Sequence, residues 1–148
     1  MYAFTAARLA SGIINFEEVG PILPDSVFLI NYQKPILKGD SILGNIPILD
    51  IQYGNVWTNI SDSLFKKLSI KTSDILQIRI WNNDSLMYLG AMAYATTFGE
   101  VPEMNPLCFL NSLMNVSLAL NMGNFADSFR IQSGPEWSIS IKKDRLGK

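Results

Sequence analysis

Leu76-Gln77-Ile78-Arg79-Ile80-Trp81-Asn82-Asn83-Asp84 is the stretch that decides the fold class. Leu76, Ile78 and Ile80 alternate with Gln77, Arg79 and Trp81, the period-two spacing of a half-buried strand. Asn82-Asn83-Asp84 then supplies side chains that turn a chain back on itself. The same pattern recurs outward in both directions. Ile46-Pro47-Ile48-Leu49 reads as an apolar strand, and its proline places it at an edge or a bulge. Val56 to Ile60 is β-branched and aromatic, and Ser61-Asp62-Ser63 offers a cap for a short helix over Leu64–Leu68. Leu107–Leu110, Val116–Leu120 and Trp137–Ile141 supply further strands, the last with Trp137, Ile139 and Ile141 set against Ser138 and Ser140. Strands at roughly 8–12-residue spacing with turns between them predict a mainly-β fold, a small antiparallel barrel.

Upstream of Ile42 the pattern is different. Tyr2 to Ala10 reads as a helix with Gly12 as its cap, and Gly20-Pro21 with Pro24 punctuates a turn. Val27–Tyr32 is expected to be extended, and Gln33–Ser41 reads as a polar connector. At the far end, Lys142-Lys143-Asp144-Arg145 is expected to be a solvated tail.

Composition bounds the chemistry. The 148 residues suit one domain with a short appendage, and such a chain buries about 68–70% of its unfolded surface. Lys plus Arg is 12 and Asp plus Glu is 13, a net charge of −1, which lacks the positive excess of a duplex nucleic-acid binder. The sequence has no histidine, so histidine triads, His-ligated metals and histidine pH switches are excluded. Cys108 is the single cysteine and cannot form an internal disulfide; within Leu107-Cys108-Phe109-Leu110 it reads as a small buried hydrophobe. No metal-ligand spacing, Walker loop or GxGxxG is present. Charged residues make up 17% where about 25% is usual, yet no apolar run approaches the roughly 18 residues of a membrane span. A chain short of charge without such a span is expected to hide surface against another subunit or domain. The opening residues have neither the basic nor the apolar region of a secretory signal, so a cytoplasmic chain is expected and the sequons at Asn59, Asn83 and Asn115 carry no weight.

Two clusters could carry chemistry. Asp50-Ile51-Gln52-Tyr53-Gly54-Asn55-Val56-Trp57-Thr58-Asn59 packs a carboxylate, two aromatics and several amides around a glycine. As composition alone it is a tight hairpin whose polar groups satisfy local backbone. As a pocket, it offers an amide to a base edge, aromatic faces to a ring and a carboxylate to an ammonium. Asn111-Ser112-Leu113-Met114-Asn115 and Asn121-Met122-Gly123-Asn124 place small polar residues beside apolar strands, again readable as turns or as ligand contacts. Tyr94 could wall the same pocket, although a single tyrosine is more often core.

Taken together these segments resemble the S-adenosyl-L-methionine hydroxide adenosyltransferases, the superfamily that includes fluorinase and chlorinase. Tyr53-Gly54-Asn55-Val56-Trp57-Thr58-Asn59-Ile60 is similar to its aromatic-Gly-Asn-x-x-Thr-Asn-Ile signature, with Trp57 on the halogenase side. Asn111-Ser112 resembles the start of its Asn-Ser-x-Gly element, and Val116 to Asn121 the strand that follows. Ala3 to Gly12, with Glu17-Glu18-Val19-Gly20, resembles the helix and turn that close the family's N-terminal α/β domain. The resemblance implies that residues 1–41 are the end of that domain with a linker, and 42–148 the C-terminal β-barrel domain. The chain is then a fragment of a two-domain protein.

The implied reaction is displacement at C5′ of S-adenosyl-L-methionine by hydroxide, giving adenosine and L-methionine, or by halide. No cofactor or metal is implied, since S-adenosyl-L-methionine is the substrate. Asp50 would hold the methionine ammonium, and Asn55 the adenine edge. Tyr53, Trp57 and Tyr94 would form walls, with Tyr94 as the stacking ring. Ser112 would meet the methionine carboxylate end, and the backbone near Met122 the adenine. Leu113 and Met114 depart from the family, which has a small or basic residue and then glycine there. The ligand loop and nucleophile-activating residues of the N-terminal domain lie outside this sequence, so no catalytic residue is expected in it and the chain alone is expected to be inactive. Implied partners are S-adenosyl-L-methionine or adenosine, an N-terminal α/β domain of the same or a neighbouring subunit, and two further copies in a homotrimer. Neither nucleic acid nor a membrane is an expected partner. The alternative is an inert binding or assembly module derived from such an enzyme.

Overall fold

A computed structural model of the chain describes residues 2–26 and 33–144. The extended segment expected over Val27–Tyr32 lies outside the described residues. The chain divides into two compact units, Met1–Ile30 and Asn31–Lys148.

In the first unit, α1 (Tyr2–Ala10) forms where good helix formers run without interruption, and it buries none of its residues. Gly12 ends it at φ +70°, its N–H donating to the Leu9 carbonyl at 3.1 Å while the Ile13 N–H reaches Arg8 O at 3.0 Å. A short turn over Phe16–Glu18 follows, held by the Glu18 carboxylate accepting the Asn15 N–H at 2.7 Å.

The second unit is a curled sheet built from β1 (Ile36–Lys38), β2 (Ser41–Ile46), β3 (Ile48–Asp50), β4 (Asn55–Ser61), β5 (Ile75–Asn82), β6 (Ser85–Tyr94), β7 (Pro106–Leu110), β8 (Asn115–Leu120) and β9 (Gly134–Lys143). The spatial order is β1-β2-β9-β5-β6-β7-β8-β4-β3. All pairs are antiparallel except β6 with β7, which meet in parallel at Ala93–Leu107 and Tyr94–Cys108. The sheet curls until β4 comes against β2. At that seam Asn59 Oδ1 accepts the Asn45 N–H at 2.8 Å, taking the place of a ladder bond. Gly44 permits the approach, because a Cβ there would sit 2.6 Å from Ile60 Cγ1.

The alternating residues read from the sequence, Leu76, Ile78 and Ile80 of β5 and Trp137, Ile139 and Ile141 of β9, face inward and are buried, as are Ile42 and Ile46 of β2. Ser61 caps α2 (Asp62–Phe65), its Oγ accepting the Leu64 N–H at 3.4 Å. Between β6 and β8 the core is filled by α3 (Phe125–Phe129), whose Phe125 and Phe129 rings stand 5.1 and 4.7 Å from Tyr88. Cys108 is buried, and burial pushes its thiol pKa up, as befits a packing residue.

Three expectations are corrected. Ile36–Lys38, read as connector, is strand β1, because its backbone pairs with β2 despite exposed side chains. Lys142 and Lys143, read as tail, complete β9, held by ion pairs to Asp40 at 2.9 Å and Asp74 at 2.5 Å. Pro47 does not sit within a strand; it breaks the chain between β2 and β3.

Candidate functional site

The β3–β4 turn is shaped by Gly54. Its φ is +70°, and the N–H groups of Tyr53 and Gly54 both donate to the Asp50 carbonyl, at 3.2 and 2.7 Å. A Cβ on Gly54 would collide with the side-chain amide of Asn124, so the turn is pressed against the loop that precedes α3. The Gly54 carbonyl in turn accepts the Ala126 N–H at 2.9 Å. Asn124 is the helix cap: its Oδ1 accepts the Asp127 N–H at 2.8 Å and its Nδ2 donates to Asp127 Oδ2 at 2.7 Å.

Where these two turns meet they enclose a groove of ≈ 720 Å³, lined by Gln52, Tyr53, Asn55, Phe98, Leu120, Asn121, Met122, Gly123 and Asn124. Asn55, only 7% exposed, opens β4 and donates from Nδ2 to Asp50 Oδ2 at 3.3 Å. Its Oδ1 accepts from no donor among the described residues. Tyr53 stands exposed at one side, its hydroxyl accepting from Gln52 Nε2 at 3.2 Å. Phe98 stands at another, its ring 5.2 Å from that of Phe109. Asn121 fixes the third side by donating Nδ2 to the Val101 carbonyl at 2.8 Å. An amide and two aromatic faces converging on an apolar groove suit a flat heteroaromatic ring with hydrogen-bonding edges. Among the described residues the lining contains no carboxylate, lysine, arginine or cysteine.

Of the residues singled out in the sequence, Tyr53, Asn55 and Met122 share this groove, with Asp50 bonded to Asn55 behind it. Trp57 and Leu113 line a second groove of ≈ 310 Å³ with Pro35, Pro47, Ile48 and several amides. Ser112 is exposed in the β7–β8 turn and lines neither. Tyr94 also lines neither; its ring packs edge-on at 5.1 Å against Phe65, and burial raises its pKa. The aromatic that lines the groove together with Tyr53 and Asn55 is Phe98, four residues further on. Its signal in the sequence was an aromatic isolated among turn residues, Thr96-Thr97-Phe98-Gly99-Glu100.

Comparison with known proteins supplies the family. The family model for the SAM hydroxide adenosyltransferase C-terminal domain matches residues 44–138. A fluorinase from Actinoplanes sp. (strain N902-109) is 28% identical over 138 residues, 90% of this chain and 44% of the relative. A fluorinase from Nocardia brasiliensis is 28% identical over 144 residues, 95% of this chain and 46% of the relative. The chain thus spans about half the length of the curated relatives it matches. A crystal structure of an uncharacterized conserved protein from Thermotoga maritima superposes with a TM-score of 0.74 at 29% identity, covering 93% of this chain and 49% of that one. A conserved hypothetical protein from Thermus thermophilus, 21% identical with a TM-score of 0.54 over 94% of this chain and 48% of its own, shares the fold. The residues matched include both turns of the larger groove, and the chain belongs to the SAM hydroxide adenosyltransferase family through its C-terminal domain.

Proposed function

We propose that this chain is the adenosine-facing, C-terminal part of an enzyme that cleaves S-adenosyl-L-methionine at C5′, with hydroxide or halide as nucleophile. The observation that carries this reading is the convergence of Tyr53, Asn55, Phe98 and the 121–124 loop on one groove. Asn55 Oδ1 would accept from the adenine amino group while Asp50 holds the other end of the same amide. Tyr53 and Phe98 would face the ring, and the backbone around Met122 would close over its edge. Asp50 would also take the methionine ammonium, with Ser112 and Leu113 towards the carboxylate end. Trp57 would extend the wall on the Leu113 side. Tyr94, expected from the resemblance to stack on adenine, yields that role to Phe98.

Because the sulfonium is already a good leaving group, the chemistry needs a positioned, desolvated nucleophile more than an acid. That positioning would come from an N-terminal α/β domain of the same or a neighbouring subunit in a cytoplasmic homotrimer. No cofactor enters, since S-adenosyl-L-methionine is consumed as substrate. The second reading, an inert binding module, is favoured by Leu113 and Met114, exposed apolar side chains with no hydrogen bond to offer a carboxylate.

Calorimetry with adenosine and S-adenosyl-L-methionine tests the proposal. Asn55→Ala is expected to weaken both by roughly 5- to 150-fold, the effect of losing a buried hydrogen bond worth about 1–3 kcal/mol. Asp50→Asn, which keeps an acceptor for Asn55, is expected to weaken S-adenosyl-L-methionine alone. Equal losses for the two ligands reject the assignment of Asp50. The purified chain is expected to release adenosine from S-adenosyl-L-methionine no faster than buffer does, and sustained turnover would show that it carries its own nucleophile-activating group.

A further inference from the structure

The Phe98 wall rests on a turn with few apolar contacts of its own. Thr96 and Thr97 are exposed, and Phe98 touches the body of the domain through Phe109. What closes the turn is the Glu100 carboxylate. It accepts from the Thr96 and Thr97 N–H groups at 3.3 and 3.1 Å, from the Thr97 hydroxyl at 3.3 Å, and from the Thr96 hydroxyl as well. These bonds wrap residues 96–100 into a single short turn, completed by the Glu100 N–H donating to Thr97 O at 3.3 Å. Such a capping box satisfies donors that would otherwise be free and fixes the direction in which the chain enters the turn. All four donors converge on one carboxylate, so its removal frees the segment that aims the Phe98 ring at the groove.

We infer that Glu100 is a positioning residue for ligand binding, acting through Phe98: its carboxylate sets the aromatic wall without touching the ligand. This rests on the reading of the groove as a site for an aromatic ring. The hydrogen bonds hold the carboxylate in its charged form and lower its pKa, so the latch is set at neutral pH.

A double-mutant cycle on the intact chain tests the inference, with adenosine as the probe and the ring contact followed by NMR. Glu100→Ala is expected to lose the Phe98–Phe109 ring contact, speed amide exchange at 96–101, and weaken adenosine about 10-fold. Glu100→Gln keeps an acceptor for the backbone donors and is expected to restore most of all three. Phe98→Ala is expected to weaken adenosine by a similar factor, and adding Glu100→Ala to it should cost nothing further. Losses that multiply in the double variant would show that Glu100 acts by another route and overturn the inference. So would an unchanged ring contact in Glu100→Ala. If the unaltered chain binds no adenosine, the reading of the groove falls, and the ring contact and exchange rates still decide whether Glu100 sets the wall.

Discussion

The two grooves of the barrel unit draw on the same kinds of residue, an aromatic ring, apolar side chains and asparagines, and use them differently. In the smaller groove the amides of Asn59 and Asn111 are consumed by the fold. Asn59 joins β2 to β4 and donates to the Gln33 carbonyl at 2.6 Å; Asn111 donates to Ser117 Oγ at 3.0 Å and accepts the Leu113 and Asn115 N–H groups at 2.9 and 3.1 Å. Thr58 gives its hydroxyl to the Val116 carbonyl at 2.7 Å. In the larger groove Asn124 is likewise bonded at both ends, but among the described residues the buried Asn55 and Asn121 are each held through Nδ2 alone. A buried asparagine reports a ligand where an atom is left over after the backbone has been served.

The larger groove should depend most on Gly54. Gly54→Ala places a Cβ into the Asn124 amide at a positive φ, and the helix cap and the turn must both move. Left-handed strain of about 1–2 kcal/mol and overpacking of about 1–3 kcal/mol together predict a loss of about 2–5 kcal/mol. Gly39→Ala has a similar φ of +62° with open space around it, so it isolates the strain alone. Denaturant melts of the two variants measure the difference, and equal losses would mean that the Asn124 contact yields freely.

The asparagines separate next. Asn59→Ala strands the part-buried seam donor on Asn45 and is expected to cost about 1–3 kcal/mol of stability while leaving adenosine affinity unchanged. Asn55→Ala is expected to do the reverse, losing affinity with a smaller change in melting. Paired calorimetry and thermal melts decide, and a loss of adenosine affinity in Asn59→Ala would extend the adenosine contacts into the smaller groove.

Both grooves are rimmed by exposed apolar side chains, Tyr53 and Met122 at the larger, Ile48 and Leu113 at the smaller. Such rims are expected to make the isolated chain self-associate and to be covered by an N-terminal domain supplied in trans. Leu113→Ser, at 65% exposure, should reduce the association without altering stability by more than about 0.5 kcal/mol. Light scattering across concentrations is the check; a monomer that ignores the added domain would rule out this surface as half of an interface.

How far the sequence was legible follows from the same physics. β5 and β9 were plain because each buries one face, which writes alternation into the residues. β6 was not read at all: Leu86, Met87 and Leu89 are exposed beside buried Tyr88 and Met92, and its pairing skips Met87, with Ile80 opposite Tyr88 and Trp81 opposite Leu86, which breaks the period. β1 and α3 are too short to show one. At the site, Asp50 to Asn55 was legible because one turn brings the residues together, and Met122 because its loop is rich in small polar residues. Phe98 was not, since its place in the groove depends on where β6 ends and how the following turn closes. That is a tertiary fact, and Tyr94 is the nearer aromatic in the same strand.

The smallest expected effect lies in neither groove. A polar recess of ≈ 330 Å³ lined by Gly39, Asp40, Lys67, Leu68 and Lys143 holds the charge that the grooves lack. Beside it, Lys143 donates to Asp74 at 2.5 Å and to the Ser69 carbonyl at 3.2 Å, tying the end of β9 to the segment before β5. The Lys143 ammonium and the Lys71 N–H together lower the Asp74 pKa below its ordinary value of 3.8. A carboxylate whose folded pKa is depressed stabilises the fold above the unfolded value and loses that contribution as pH falls through the folded one. Asp74→Asn should therefore melt lower than the unaltered chain at pH 6, by no more than the ~1 kcal/mol of a surface pair. The two should converge as the solution is acidified below about pH 3. Added salt at pH 6 should narrow the gap as well. Adenosine affinity at pH 6 should be the same in both, since the pair touches no residue of either groove. A gap that persists in acid would assign the effect to packing of the β9 end, and a change in affinity would tie this recess to the larger groove.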